Sequence, residues 1–184
     1  MPEQRSPTGT DNSQAEVTVR AARTSDVSAI RRLIDTFAPD RRLLSKATVA
    51  LYEAVPEFLV ASLPNRASVE EIVGCGALHV MWEDLAEVRT LAVEPTHYGR
   101  GIGRELQRKL LDRARGLGIK RVFVLTFETV FFAKAGFVEI AGTPVIHEVF
   151  EQLLRSYDEG VAEFLDLERV KPNTLGNTRL LLSL

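Results

Sequence analysis

The amino-acid sequence predicts a mixed α/β sheet folded as one domain, and three observations carry that prediction. The chain has 184 residues, enough for one well-cored domain and too few for two ordinary ones. Its hydrophobic share is 45% and its charged share 26%, which excludes a disordered, collagen-like or coiled-coil chain. Beyond residue 16, runs of period two alternate with apolar stripes at helical spacing, the mark of strands and helices interleaved.

Residues 1–16 (MPEQRSPTGTDNSQAE) hold no aromatic side chain and no Val, Ile or Leu. They cannot bury enough surface to offset their ordering entropy and read as a mobile tail, leaving 17–184 as the folded domain. Val17 to Ala21 alternates as a short strand. Thr24, Ser25 and Asp26 offer cap oxygens ahead of Val27, Ile30, Leu33, Ile34 and Phe37, a helix that Pro39 ends. A second short helix is expected over 45–55, stopped by Pro56. Phe58 to Leu63 reads as a strand closed by Pro64-Asn65-Arg66 turn chemistry. Ile72 to Val80 and Leu85 to Val93 are longer strands joined as a hairpin across Trp82-Glu83-Asp84. Ile102, Leu106, Leu110, Leu111 and Ala114 mark an amphipathic helix ending near Gly116 and Gly118. Arg121 to Phe127 is a near-continuous apolar run, as in a strand buried on both faces. A short helix over 129–135 and a strand starting at Gly136-Phe137 follow. Thr143-Pro144 reads as the cap and first residue of a helix over 144–158 carrying Val145, Val149, Phe150, Leu153 and Leu154. Asn177 to Leu184 is the last strand.

Composition narrows the function. Lys and Arg number 23 against 25 Asp and Glu, a net charge of −2, so no global basic field exists to hold nucleic acid. The single Cys75 excludes an internal disulfide and a thiolate zinc site, and no metal is expected. There is no signal peptide and no membrane span, so the chain reads as cytoplasmic with no membrane partner.

The segment with chemistry in it is Leu91-Ala92-Val93-Glu94-Pro95-Thr96-His97-Tyr98-Gly99-Arg100-Gly101-Ile102-Gly103-Arg104. A strand runs into a turn with glycines at alternate positions, and the turn opens a helix. Its backbone N–H groups can approach a ligand closely, and the helix start favours negative charge, so the turn reads as a diphosphate cradle flanked by Arg100 and Arg104. A Rossmann fingerprint would need Gly where Arg104 stands, and no Gly-Lys-Ser/Thr follows to make a P-loop.

This strand, loop and G-x-G-I-G turn resemble the acetyl-CoA site of the GCN5-related N-acetyltransferase superfamily over about residues 17–140. The resemblance implies a single domain with a mostly antiparallel sheet, splayed at the acetyl-CoA strand and flanked by helices. It implies that Leu91, Ala92 and Val93 meet the pantetheine arm and that Tyr98, Gly99, Arg100, Gly101, Ile102, Gly103 and Arg104 take the pyrophosphate. Tyr98 stands where the family usually has Arg or Gln.

Four further segments, Val73 to Leu78, Ala86 to Val93, Arg121 to Thr126 and Phe131 to Phe137, resemble the acetyltransferase domain of N-acetylglutamate synthases. The stretch Val170-Lys171-Pro172-Asn173-Thr174-Leu175-Gly176-Asn177 is similar to the short, stand-alone bacterial form. That resemblance implies acetylation of glutamate or glutamine for arginine biosynthesis, with arginine as feedback inhibitor and residues 141–184 closing the substrate site. Whether the chain forms a homo-oligomer stays open.

Acetyl transfer to an amine needs a base for the ammonium proton, a donor for the acetyl oxygen and alignment of the pair. Glu87 is the candidate base; Arg89, two residues on and on the same strand face, would hold a substrate carboxylate. The alternative is a plain ion pair on that face. His79 on the neighbouring strand is the second proton-relay candidate. Backbone N–H groups of the splayed strand would stabilise the acetyl oxygen. Lys46, Arg89, Lys171 and Arg179 are candidate carboxylate binders, and Asn173 and Asn177 could bind a side-chain carbonyl. The family's usual acid is a Tyr shortly before Gly-Phe; here Phe131-Phe132 stands there, leaving Tyr52, Thr126, water or an unassisted thiolate. Two alternatives remain: acetylation of another amine (a protein N-terminus, lysine, polyamine or drug), and a module that senses acyl-CoA or amino acids without turnover.

Overall fold

Alternating side chains in long strands place one apolar row on each sheet face, and helices cover both rows. The computed structural model describes residues 17–39, 43, 46–64, 70–167 and 177–184. Strands β1 (Thr18–Ala21), β2 (Phe58–Pro64), β3 (Glu70–Trp82), β4 (Leu85–Val93), β5 (Arg121–Thr126), β6 (Val138–Glu139) and β7 (Thr178–Ser183) form one sheet in the order β1-β2-β3-β4-β5-β7-β6. Every described pairing is antiparallel except β4 with β5. The tail at 1–16 lies outside the described residues.

The first face is covered by α3 (Ile102–Gly116) and α4 (Thr129–Ala133). Leu106, Leu110 and Ala114 pack there on Val73, Val88, Val122 and Val124. The opposite face carries α1 (Val27–Phe37) and α2 (Thr48–Glu53) at one end. Ile30, Leu33 and Leu51 meet Val60, Cys75 and Ala77 there. At its other end lie α5 (His147–Leu153) and α6 (Glu159–Phe164), where Val161 and Phe164 meet Leu85 and Phe123. Phe123 and Phe164 stack edge to face with centroids 5.3 Å apart. Glu87 and Arg89 share strand parity with Leu85, so they fall on this second face, between its two apolar patches.

Two local expectations are corrected. Asp26 does not cap α1: its carboxylate turns back to accept the Arg23 N–H at 2.7 Å and a hydrogen bond from Arg20, also at 2.7 Å. The helix expected over 144–158 is only α5, over His147–Leu153, and α6 follows beyond that range at Glu159–Phe164. The Thr143 hydroxyl donates to the Phe164 carbonyl and the Pro144 carbonyl accepts from Arg121, so neither residue starts a helix. Helix α5 begins at His147, and Asp158 caps a separate α6 by accepting the Val161 N–H at 3.1 Å.

Candidate active site

The glycine turn is built as its spacing implies. After β4, Pro95 to His97 make one 3-10 turn, and Gly99 and Gly101 take φ of +78° and +79° directly ahead of α3. A Cβ at either position would meet nothing within 4 Å. The backbone conformation, not crowding, therefore demands glycine there, and Gly99, Gly101, Ile102 and Gly103 border open space.

That space is a cavity of about 920 Å³, large for a small-molecule site. Its walls are the second half of β4, the end of β5, one side of α3 from Ile102 to Arg115, and α4. Strand β4 pairs with β5 only at Leu85↔Arg121, Ala86↔Val122 and Glu87↔Phe123, after which β5 follows β7 and β4 follows β3. A bulge helps the strands part. Between the pairs Cys75↔Ala92 and Ala77↔Arg89, β4 carries one extra residue, and Thr90 sits there at φ 58°. A β-branched residue in that region is a backbone outlier, held by its surroundings at an energetic cost.

Of the residues expected at acetyl-CoA, Leu91, Ala92, Val93, Tyr98, Gly99, Gly101, Ile102, Gly103 and Arg104 line the cavity. Arg100 is exposed and lies outside the lining. Gln107 was not foreseen. It lines the cavity, is 4% exposed, and its Nε2 has no hydrogen-bond partner among the described residues; the same holds for Asn177 Oδ1. An unmet buried polar atom costs about 1–3 kcal/mol, so two such atoms in one cavity fit a site made for a polar ligand. The open glycine amides, the splayed strand edge and these atoms suit a coenzyme with a diphosphate and an amide-bearing arm.

Beside the cavity, five charged or titratable residues converge: Glu57, His79, Glu87, Arg89 and Asp158. The Glu87 carboxylate is 5% exposed and its Oε2 has no hydrogen-bond partner. Burial pushes it up to about 7, with Asp158 adding to the rise and Arg89, His79 and Lys46 opposing it. Arg89 lines the cavity. It donates from Nη1 to Asp158 Oδ2 at 2.8 Å and from Nη2 to Glu57 Oε2 at 3.0 Å, with Nη1 3.8 Å from Glu87 Oε2. His79 Nδ1 stands 2.8 Å from Glu57 Oε1 and its Nε2 3.7 Å from Asp158 Oδ2. Burial raises Glu57 and Asp158, but hydrogen bonds outweigh it and hold both below the usual carboxylate range: from His79 and Arg89 for Glu57, from Arg89 for Asp158. Arg113 of α3 fixes the Glu57 turn by donating to the Pro56 and Glu57 carbonyls.

The remaining candidates are scattered. Half-buried Lys46 acts on Glu87 through its charge. Arg179 donates to the carbonyls of Gly142 and Phe164. Asn177 is on the cavity wall; Lys171 and Asn173 lie outside the described residues. Thr126 lines the cavity and its hydroxyl accepts the Glu128 N–H, whereas Tyr52 is half exposed on α2 and absent from the lining. Phe131 and Phe132 both line the cavity where the family's acid would stand. Among the described residues no group of three or more His, Cys, Asp or Glu side chains could hold a metal ion, and no helix is long and apolar enough to cross a membrane.

The sequence and the fold have known counterparts. The family model described as Acetyltransferase (GNAT) family matches residues 29–137. A Mycobacterium tuberculosis protein named amino-acid acetyltransferase is 60% identical over 90% of this chain and 94% of its own length. A crystal structure from the same organism, in complex with CoA and an amino-acid ligand, superposes with a TM-score of 0.85 over 91% of this chain and 99% of that one, at 60% identity. N-acetylglutamate synthase from Neisseria gonorrhoeae is 25% identical in both of its complexes. With CoA and N-acetyl-glutamate it superposes with a TM-score of 0.70, over 93% of this chain and 36% of that one. With CoA and L-arginine the score is 0.65, over 93% and 34%. With its glycine turn, splayed sheet and matching relatives, the chain belongs to the GNAT acetyltransferase family.

Proposed function

We propose that this protein transfers the acetyl group of acetyl-CoA to the α-amine of a free amino acid, glutamate or glutamine. The observation that carries the reading is Glu87, a buried carboxylate pushed up to about 7 beside the open end of the splayed strand. A base titrating near the working pH is well matched to an ammonium proton. The near relative named amino-acid acetyltransferase supports the acceptor class.

In this reading Gly99, Gly101 and Gly103 and the first amides of α3 hold the coenzyme's diphosphate, while Leu91 to Val93 hold its arm through the backbone. Glu87 takes a proton from the substrate ammonium, directly or through water. The freed amine attacks the acetyl carbon, its oxygen held by a backbone N–H of the bulged strand; the C–S bond then breaks and the proton left on the new amide nitrogen passes to water or to the departing thiolate. A thiol with a pKa of about 8.5 leaves as thiolate or takes a proton from water, so no tyrosine is needed where Phe131 and Phe132 stand. Arg89 keeps donors for the substrate carboxylate: a guanidinium has five N–H groups, and two hydrogen bonds use two of them. Asn177, with Lys171 and Asn173, takes the substrate side chain. The product would feed arginine biosynthesis, with arginine as feedback inhibitor.

A second reading has one observation in its favour. Arg89 already faces Glu57, Glu87 and Asp158, and so acidic a cluster would also welcome an amine without a carboxylate. Thiol release from acetyl-CoA across a panel of amino acids, polyamines and peptides decides between the two. Turnover on glutamate or glutamine alone supports the first reading, and the better of the two names the substrate. Turnover on polyamines or peptides instead supports the second. Adding arginine to the same assay tests inhibition.

A further inference from the structure

The cover over Glu87 is the first turn of α6, and it lies unusually close. A Cβ added at Gly160 would fall inside the van der Waals shell of Glu87 Oε2, 2.8 Å from Cδ and 3.0 Å from Oε1. Helix α6 cannot recede freely to make room. Val161, Ala162 and Phe164 are buried, Phe164 stacks on Phe123, and Asp158 is tied both to the Val161 N–H and to Arg89. The carboxylate cannot swing out freely either. Arg89 flanks it on its own strand, His79 on β3, Asp158 at the cap of α6 and Lys46 ahead of α2, with Glu57 bound to Arg89 and His79 behind them.

We propose that Gly160 is a positioning residue for the acetyl-transfer base: only a residue without a side chain lets α6 close over the Glu87 carboxylate and keep it dry. The bare α-carbon supplies no hydrogen bond to Oε2, so the cover removes water without replacing it. That leaves burial as the dominant influence on the carboxyl group. In G160A either the carboxylate or the helix must move, and in both cases water reaches Glu87.

This inference rests on the reading of Glu87 as the base, and the experiment separates the two. The carboxyl carbon of Glu87 is followed by 13C NMR as pH is varied, its signal assigned by its absence from E87Q. Its midpoint is expected near 7 in the wild type and more than one pH unit lower in G160A. The low-pH limb of kcat/KM is expected to move down with it, and the plateau to fall at least about tenfold. An unchanged Glu87 midpoint in G160A overturns the proposal, whatever happens to stability. Should G160A fold poorly, E87D/G160A decides: the shorter acid withdraws from the new methyl group and is expected to restore the melting temperature that G160A loses. A double variant no more stable than G160A overturns the proposal. Turnover by E87Q at the wild-type rate would remove the base reading and leave the Gly160 titration to stand or fall alone.

Discussion

In the proposed function Glu87 and Arg89 form a pair whose worth lies in proton transfer, because an unbonded buried carboxylate destabilises the fold that holds it. Replacing Glu87 by Gln keeps the shape and removes the base. We expect kcat/KM at pH 8 to fall by about 10² to 10⁴ while the affinity for CoA, which the proposal places at the distant glycine turn, is unchanged by calorimetric titration. Cys75 behaves in the opposite way. Buried at 0% exposure, its thiol is pushed up to about 12, so iodoacetamide should label it at pH 8 only in denaturant. The Glu87–Arg89 pair was legible because two residues apart on a strand means one face. Glu57 and Asp158 were not, standing 32 and 69 residues from Arg89, and only the folded sheet brings them in. Gln107 did leave a signal: with Leu111 and Ala114 it follows the i, i+4, i+7 spacing of the buried stripe on α3.

Among the elements, the turn from β4 into α3 was the most legible, since glycine at positive φ writes its geometry into the sequence. Its test is G101A. With φ at +79° and nothing within 4 Å of a new Cβ, the change adds no clash and only a backbone cost of about 1–2 kcal/mol. If the ligand requires that conformation, CoA affinity falls about 5- to 30-fold by calorimetric titration; if the cost appears only as a lower melting temperature, the cradle is not at this turn. The C-terminal helices were less legible. Val145, Val149, Phe150, Leu153 and Leu154 suggest one long helix, but the hydroxyl and carbonyl of Thr143-Pro144 are spent on Phe164 and Arg121. The signal for α6 was present in Asp158, three residues before Val161. Phe164 anchors that helix on Phe123, and F164A should cost about 3–5 kcal/mol in urea denaturation, with turnover lost ahead of global unfolding because α6 covers Glu87.

For the molecule as a whole, the interleaving of strands and helices follows from period and sequence order, and the splay at β4 was expected only through the family resemblance, whereas the strand order and the bulge at Thr90 depend on pairings distant in sequence. The parting of the strands creates the site, and the site sets activity against stability. The Glu87 carboxyl rises from its ordinary 4.5 to about 7 on folding. Below pH 4.5 it is neutral in both the folded and the unfolded chain. Between 4.5 and 7 only the unfolded chain releases the proton, so stability falls as pH rises across that window. The loss reaches about 3 kcal/mol by pH 8. Glu57 and Asp158, held low, contribute stability that is lost only as pH falls below the ordinary carboxylate range, so they are silent in this window. Turnover runs the other way, because the base works only once ionised. We therefore expect kcat/KM to climb through pH 7 while the wild type loses stability relative to E87Q over the same span, measured by urea denaturation at pH 4.5 and 8. Parallel stability curves for the two proteins would mean that Glu87 is ionised throughout, and the rise in rate would then belong to another group.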